Sequence, residues 1–135
     1  MVYCGESNTN AMSTIRPAEL DDRLQSGANT DLFLLDIRPQ SSFRTKAIDD
    51  SHNIPIYDEL RAGDDAALRD HLGEIPAEKE VIVVCKQGMV AKRATSLLVE
   101  EGYDAATLLG GMSGWTGYQN GSLGYKIRSL IWKIW

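Results

Sequence analysis

Apolar and polar positions along this chain change period several times, and each change marks an element. Between Glu80 and Gly102 the sequence EVIVVCKQGMVAKRATSLLVEEG passes from a continuous apolar run to a helical spacing. Val81, Ile82, Val83 and Val84 form a β-branched run, the pattern of a strand covered on both faces. Lys86 to Val90 carry one glycine and no apolar periodicity, so a turn is expected there. From Ala91 the apolar residues fall three or four apart, through Ala94, Leu97 and Leu98, which predicts a helix stopped by Gly102.

The flanking segments repeat the alternation. Ile15 and Arg16 suggest a short edge strand. Ser13 or Thr14 with Pro17 suggests a helix start, since proline is tolerated in the first turn. Ala18 to Ser26 then reads as a short amphipathic helix with Leu20 and Leu24 on one face. Leu32 to Ile37, LFLLDI, is a second buried strand, and Pro39 to Asp50 a long loop with room for a helical turn. His52 to Ile56 reads as a short strand confined by Pro55 to an edge or a strand end. His52 is expected to face solvent without a partner. Tyr57 to Leu60 and Ala66 to Leu72 are short helices, Ala106 to Leu109 a further strand, and Met112 to Gly117 a helical segment after the tight turn Gly110-Gly111. Strands alternating with helices predict an α/β fold with a mostly parallel sheet.

Both ends differ from this pattern. Residues 1–14 are polar and turn-rich and are expected as a flexible leader. Residues 118–135 are expected as a linker and a C-terminal helix. In 121–135 one helical face carries Leu123, Ile127, Leu130, Ile131 and Ile134, and the segment holds Lys126, Arg128 and Lys133 with no acid. Such a basic amphipathic helix suits a peripheral membrane contact or a homo-oligomer contact, with docking on its own domain the blander use.

With 135 residues and 43% hydrophobic content the chain supports one domain without disulfides. Its net charge of −5 argues against a nucleic-acid partner. Two widely separated cysteines, Cys4 and Cys85, point to a reducing compartment and a cytoplasmic location. No His/Cys cluster has metal-ligand spacing, so neither a metal nor another cofactor is expected. The N-terminus lacks a signal-peptide pattern, and no stretch approaches a transmembrane length.

Charge singles out Cys85. Residues 81–99 hold Lys86, Lys92 and Arg93 and no acid, whereas residues 1–80 hold 8 basic and 16 acidic residues. The spacing places Cys85 at the carboxyl end of a buried strand facing a helix N-terminus, where unpaired amides and the dipole gather. Such a setting favours the thiolate. Asp36 and Arg38 end another strand, and ligands of open α/β sheets collect outside those strand ends, so both are candidates to support the same site. A structural ion pair fixing the following loop is the alternative for Asp36, and a buried core cysteine the alternative for Cys85.

Four separated stretches resemble one pattern: LLDIRPQSSF (34–43), AIDDSHNIP (47–55), VIVVCKQGMVA (81–91) and LLGGMSGW (108–115). Together they resemble a single rhodanese-like (sulfurtransferase) domain over roughly residues 15–117. The resemblance implies a rhodanese-like sheet of about five strands, mostly parallel, flanked by helices on both faces. It implies Cys85 as nucleophile, taking sulfane sulfur from a donor as a persulfide and passing it to a thiol or other thiophilic acceptor. The loop Lys86, Gln87, Gly88, Met89, Val90 and Ala91 would cradle the persulfide and an anionic donor with its amides.

The chain departs from the common Cys-x-x-Gly-x-Arg-Ser loop, with Val90 at the Arg position and Ala91 at the Ser position. That removes a guanidinium fork suited to an oxyanion and a hydroxyl that could bond the persulfide. Thiosulfate is the less favoured donor on this ground, and a protein or small-thiol persulfide needs less anion recognition. Lys86 can supply a point charge instead, with Lys92 and Arg93 weaker candidates. The same departures support an alternative, a catalytically weak binding module recruited or oligomerised through its C-terminal helix. A cysteine phosphatase or arsenate reductase, which needs an arginine about where Ala91 stands, fits poorly.

Overall fold

The computed structural model describes residues 13–27 and 31–121. The expected leader up to residue 12, Cys4, and the basic tail from residue 122 lie outside the described residues. In chain order the elements are β1 (Thr14–Ile15), α1 (Pro17–Gln25), β2 (Leu32–Asp36), α2 (Gln40–Thr45), β3 (His52–Asn53), α3 (Tyr57–Arg61) and α4 (Ala66–Arg69). A 3-10 turn (Leu72–Glu74), β4 (Glu80–Val84), α5 (Met89–Glu100) and β5 (Ala105–Leu108) follow. Residues 111–121 form a last helix, α6.

The strands make one five-stranded sheet in the order β1-β5-β4-β2-β3, and every pairing is parallel. The β-branched run of β4 lies at the centre, between β2 and β5. A parallel sheet needs a crossover between paired strands, and here the crossovers put helices on both faces. Strand periodicity then divides the core in two. Val81, Val83 and Cys85 pack with Leu35, Ile37, Leu60, Leu68, Ala94 and Leu98 on the α3–α4–α5 side. Ile82 and Val84 pack with Leu34, Leu20, Leu108, Met112 and Trp115 on the α1–α6 side. Burying a Val, Leu or Ile side chain stabilises by about 1.5–3 kcal/mol, so both faces contribute.

Several boundaries differ from expectation for local reasons. The first helix has Arg16 at its N-cap with no side-chain cap and Pro17 at its first position, while Thr14 is taken into β1. Thr14 thus belongs to the sheet rather than to the leader. Helix α5 starts at Met89, two residues before its apolar spacing becomes visible, because Gly88 adopts φ 94 and turns the chain directly into it. Residues 118–121, expected to open a linker, continue α6. His52 is exposed but not alone. It pairs with Glu74 at 3.1 Å, and its ring centroid lies 5.4 Å from that of Phe33.

Candidate active site

Cys85 follows β4 directly, so it sits at the carboxyl edge of the central strand. Its side chain shares a face with Val81 and Val83 and is 1% exposed. Cys85 nevertheless lines a cleft of about 200 Å³, together with Tyr57, Lys86, Gln87, Met89 and Val90. The Gly88 amide donates to Cys85 Sγ at 2.9 Å. Burial and a polar partner therefore occur together at this thiol, a combination that a purely structural cysteine does not require.

The cradle amides are aimed by their own carbonyls. The Cys85 carbonyl accepts from the Met112 amide at 2.8 Å, and the Lys86 carbonyl accepts from the Ser113 amide at 3.0 Å. In a trans peptide C=O and N–H point in opposite directions, and no cis bond occurs among the described residues. With both carbonyls turned to the start of α6, the Lys86 and Gln87 amides turn away from α6 into the loop. Met89, Val90 and Ala91 form the first turn of α5 rather than loop. Their amides are among those a helix leaves without internal partners, at the positive end of its dipole. The six-residue cradle is thus a three-residue loop followed by a helical turn.

Side chains of the expected site divide by location. Lys86 and Gln87 are exposed, Val90 half-buried, and Met89 is 73% exposed beside the cleft. Ala91 is fully buried in the core cluster that contains Cys85, so only its backbone belongs to the cradle. Arg93, one source of local positive charge, is paired with Asp65 at 2.7 Å. Lys86 forms no ion pair among the described residues.

Asp36 and Arg38 sit on the same edge of the sheet. Asp36 is in register with Val84, the residue before Cys85, and the Ile37 amide donates to the Val84 carbonyl. The two side chains form a buried pair, 1% and 7% exposed. Arg38 Nε donates to Asp36 Oδ1 at 3.0 Å and to Oδ2 at 3.1 Å, and Nη2 donates to Oδ2 at 2.8 Å and to the Lys46 carbonyl at 2.6 Å. Asn53 Nδ2 donates to the carbonyls of Asp36 and Arg38, both at 2.9 Å. This network fixes the loop after β2, and Arg38 Nε and Nη2 are spent on structure.

Sequence reasoning missed Gly111 and Tyr57. A β-carbon on Gly111 would overlap the Cys85 carbonyl oxygen and stand 2.8 Å from the Gln87 nitrogen. The Gly-Gly doublet was the visible signal. Tyr57 opens α3, after the edge strand β3, and reaches the same end of the sheet as Cys85. Its signal was its place just past a strand's carboxyl end.

The family model of the rhodanese-like domain matches residues 16–118. The chain is 35% identical over 84 residues to adenylyltransferase and sulfurtransferase MOCS3-1 of Zea mays, which covers 62% of this chain and 18% of that protein. It is 26% identical over 105 residues to thiosulfate sulfurtransferase GlpE of Shewanella oneidensis, covering 77% of this chain and 95% of that one. The chain thus spans less than a fifth of the maize relative and nearly all of the bacterial one. Among solved structures, reduced Bacillus anthracis CoADR-RHD is similar, with a TM-score of 0.61 and 30% identity over 76% of this chain and 16% of that one.

Proposed function

Because this chain belongs to the rhodanese-like domain family, we propose that it moves sulfane sulfur from a donor to a thiophilic acceptor through a persulfide on Cys85. The observation that supports this most is the Gly88 amide on Cys85 Sγ, in a loop whose Lys86 and Gln87 amides turn away from α6. The Gly88 donor is already oriented on the sulfur, so it needs no reorganisation when charge develops there.

The chemistry has two displacements. The Cys85 thiolate attacks the outer sulfur of the donor; an S–S bond forms to Cys85 as the donor's own bond to that sulfur breaks, and the donor leaves with the electron pair. An acceptor nucleophile then attacks the same sulfur and Cys85 leaves as thiolate. No net oxidant or reductant is required. The loop amides and the first turn of α5 hold negative charge on the terminal sulfur between the two steps.

Sulfane-sulfur donors followed by intact-mass measurement test this reading. One sulfur atom added to the wild-type chain and none to Cys85→Ser is the expected result. No addition, or equal addition to both, overturns it. The absence of a guanidinium at Val90 and of a hydroxyl at Ala91 favours a second reading, a catalytically weak binding module. That reading predicts an unloaded Cys85 with every donor.

A further inference from the structure

A second cleft adjoins the cysteine cleft. It measures about 340 Å³ and is lined by Arg38, Pro39, Ser42, Tyr57, Asp58 and Lys86. Tyr57 and Lys86 line both clefts, so the two meet beside Cys85.

The polar groups of this second cleft fall into two classes. Arg38 is partly committed, its Nε and Nη2 given to Asp36 and to the Lys46 carbonyl while Nη1 makes no hydrogen bond among the described residues. Four further groups are wholly uncommitted. Among the described residues the Ser42 hydroxyl, the Tyr57 hydroxyl, the Asp58 carboxylate and the Lys86 ammonium make no hydrogen bond or ion pair. Lys86 and Asp58 line one cleft and still do not pair with each other. Opposite charges that line one cleft without pairing match a ligand that carries both signs and can bridge them.

We propose that this cleft holds the body of the sulfur donor, and that the donor is a small zwitterionic thiol persulfide of the amino-acid kind. Its carboxylate lies on Lys86 and its ammonium on Asp58, with the Ser42 and Tyr57 hydroxyls as further partners. The proposal rests on Cys85 being the sulfur acceptor. Thiosulfate makes a poor alternative occupant. Its sulfonate is small for this space, Asp58 opposes a dianion, and Val90 offers no charge beside the sulfur. The transfer balances as written for a persulfide R–S–SH. The Cys85 thiolate bonds to the outer sulfur, the S–S bond joining that sulfur to R–S breaks, and the thiolate R–S⁻ leaves with the electron pair. The proton stays on the transferred sulfur, giving Cys85–S–SH.

Rates of sulfur loading on Cys85 by intact mass, with three donors, test the assignment. Cysteine persulfide carries both charges, N-acetylcysteine persulfide lacks the ammonium, and cysteamine persulfide lacks the carboxylate. The wild-type chain is expected to prefer cysteine persulfide over both. Asp58→Asn should lower its preference over the N-acetyl donor about tenfold, and Lys86→Met its preference over cysteamine persulfide about tenfold, the scale of one charge-assisted hydrogen bond. Each preference is a ratio within one protein, so a partly unfolded variant does not distort it. Loading of Cys85 with both ratios unchanged in the variants overturns the cleft assignment alone. No loading from any donor overturns the persulfide reading beneath it.

Discussion

Gly111 lies against the peptide that follows Cys85, so closely that a β-carbon there would overlap the Cys85 carbonyl oxygen. The contact leaves room for Met112 and Ser113 to hold the carbonyls of Cys85 and Lys86. The turn after β5 thereby orients amides in the loop after β4, which links the Gly-Gly doublet to sulfur chemistry more than twenty residues earlier in the chain.

Replacement of Gly111 by alanine should therefore push the cysteine loop away from α6. Gly111 also has φ 57, where an alanine is strained. The expected cost is about 1–3 kcal/mol in urea unfolding, with sulfur loading of Cys85 slowed at least about tenfold in the chain that remains folded. Stability and loading both at wild-type level would refute the role given to this glycine.

Charge at the lip of the cleft can be restored. Val90→Arg returns a guanidinium to the position where the family loop carries one, at the wall of the cysteine cleft. Loading from thiosulfate should rise about tenfold, the value of one charge-assisted contact, while loading from cysteine persulfide changes less. An unchanged thiosulfate rate would mean that the missing arginine is not what limits this donor.

The Asp36–Arg38 pair predicts a large, asymmetric stability effect. Arg38→Met leaves Asp36 buried without its partner and should cost about 3–5 kcal/mol. Asn53→Ala removes two bonds to the carbonyls of Asp36 and Arg38 and should cost about 1–3 kcal/mol. Denaturant titration measures both. A loss in Asn53→Ala as large as that in Arg38→Met would contradict a network centred on the charge pair.

Glu74 supplies a pH marker. Its hydrogen bond with His71, at 2.5 Å, and then that with His52, at 3.1 Å, hold its carboxyl below the usual glutamate range. A carboxyl lowered in the folded state stabilises the fold above its unfolded pKa. That contribution is lost as the pH falls through the folded value. Carbon NMR of the Glu74 carboxyl should show an acid-shifted midpoint that rises in His71→Ala, and rises less in His52→Ala. A midpoint at or above an ordinary glutamate's would show that neither imidazole acts on it.

Local pattern carried much of this protein. The valine-rich run marked the central strand, the alternation of strands and helices marked a parallel sheet, and the place of Cys85 after that strand marked the candidate nucleophile. These were legible because a strand buried on both faces leaves a continuous apolar run, and a helix against it leaves a 3.6-residue spacing. The start of α5 was not legible, since Gly88 and Met89 carry no periodicity and only the left-handed turn at Gly88 places the helix there.

The sequence by itself determined the sheet, its central strand and the cysteine at its edge, because each follows from neighbours a few residues apart. Only the tertiary structure decided which way the loop amides face, that Arg38 pairs with Asp36, and that Ser42, Tyr57, Asp58 and Lys86 share one cleft. Those facts depend on segments far apart in the chain meeting at one end of a parallel sheet, where no single stretch records the distance or the direction between them.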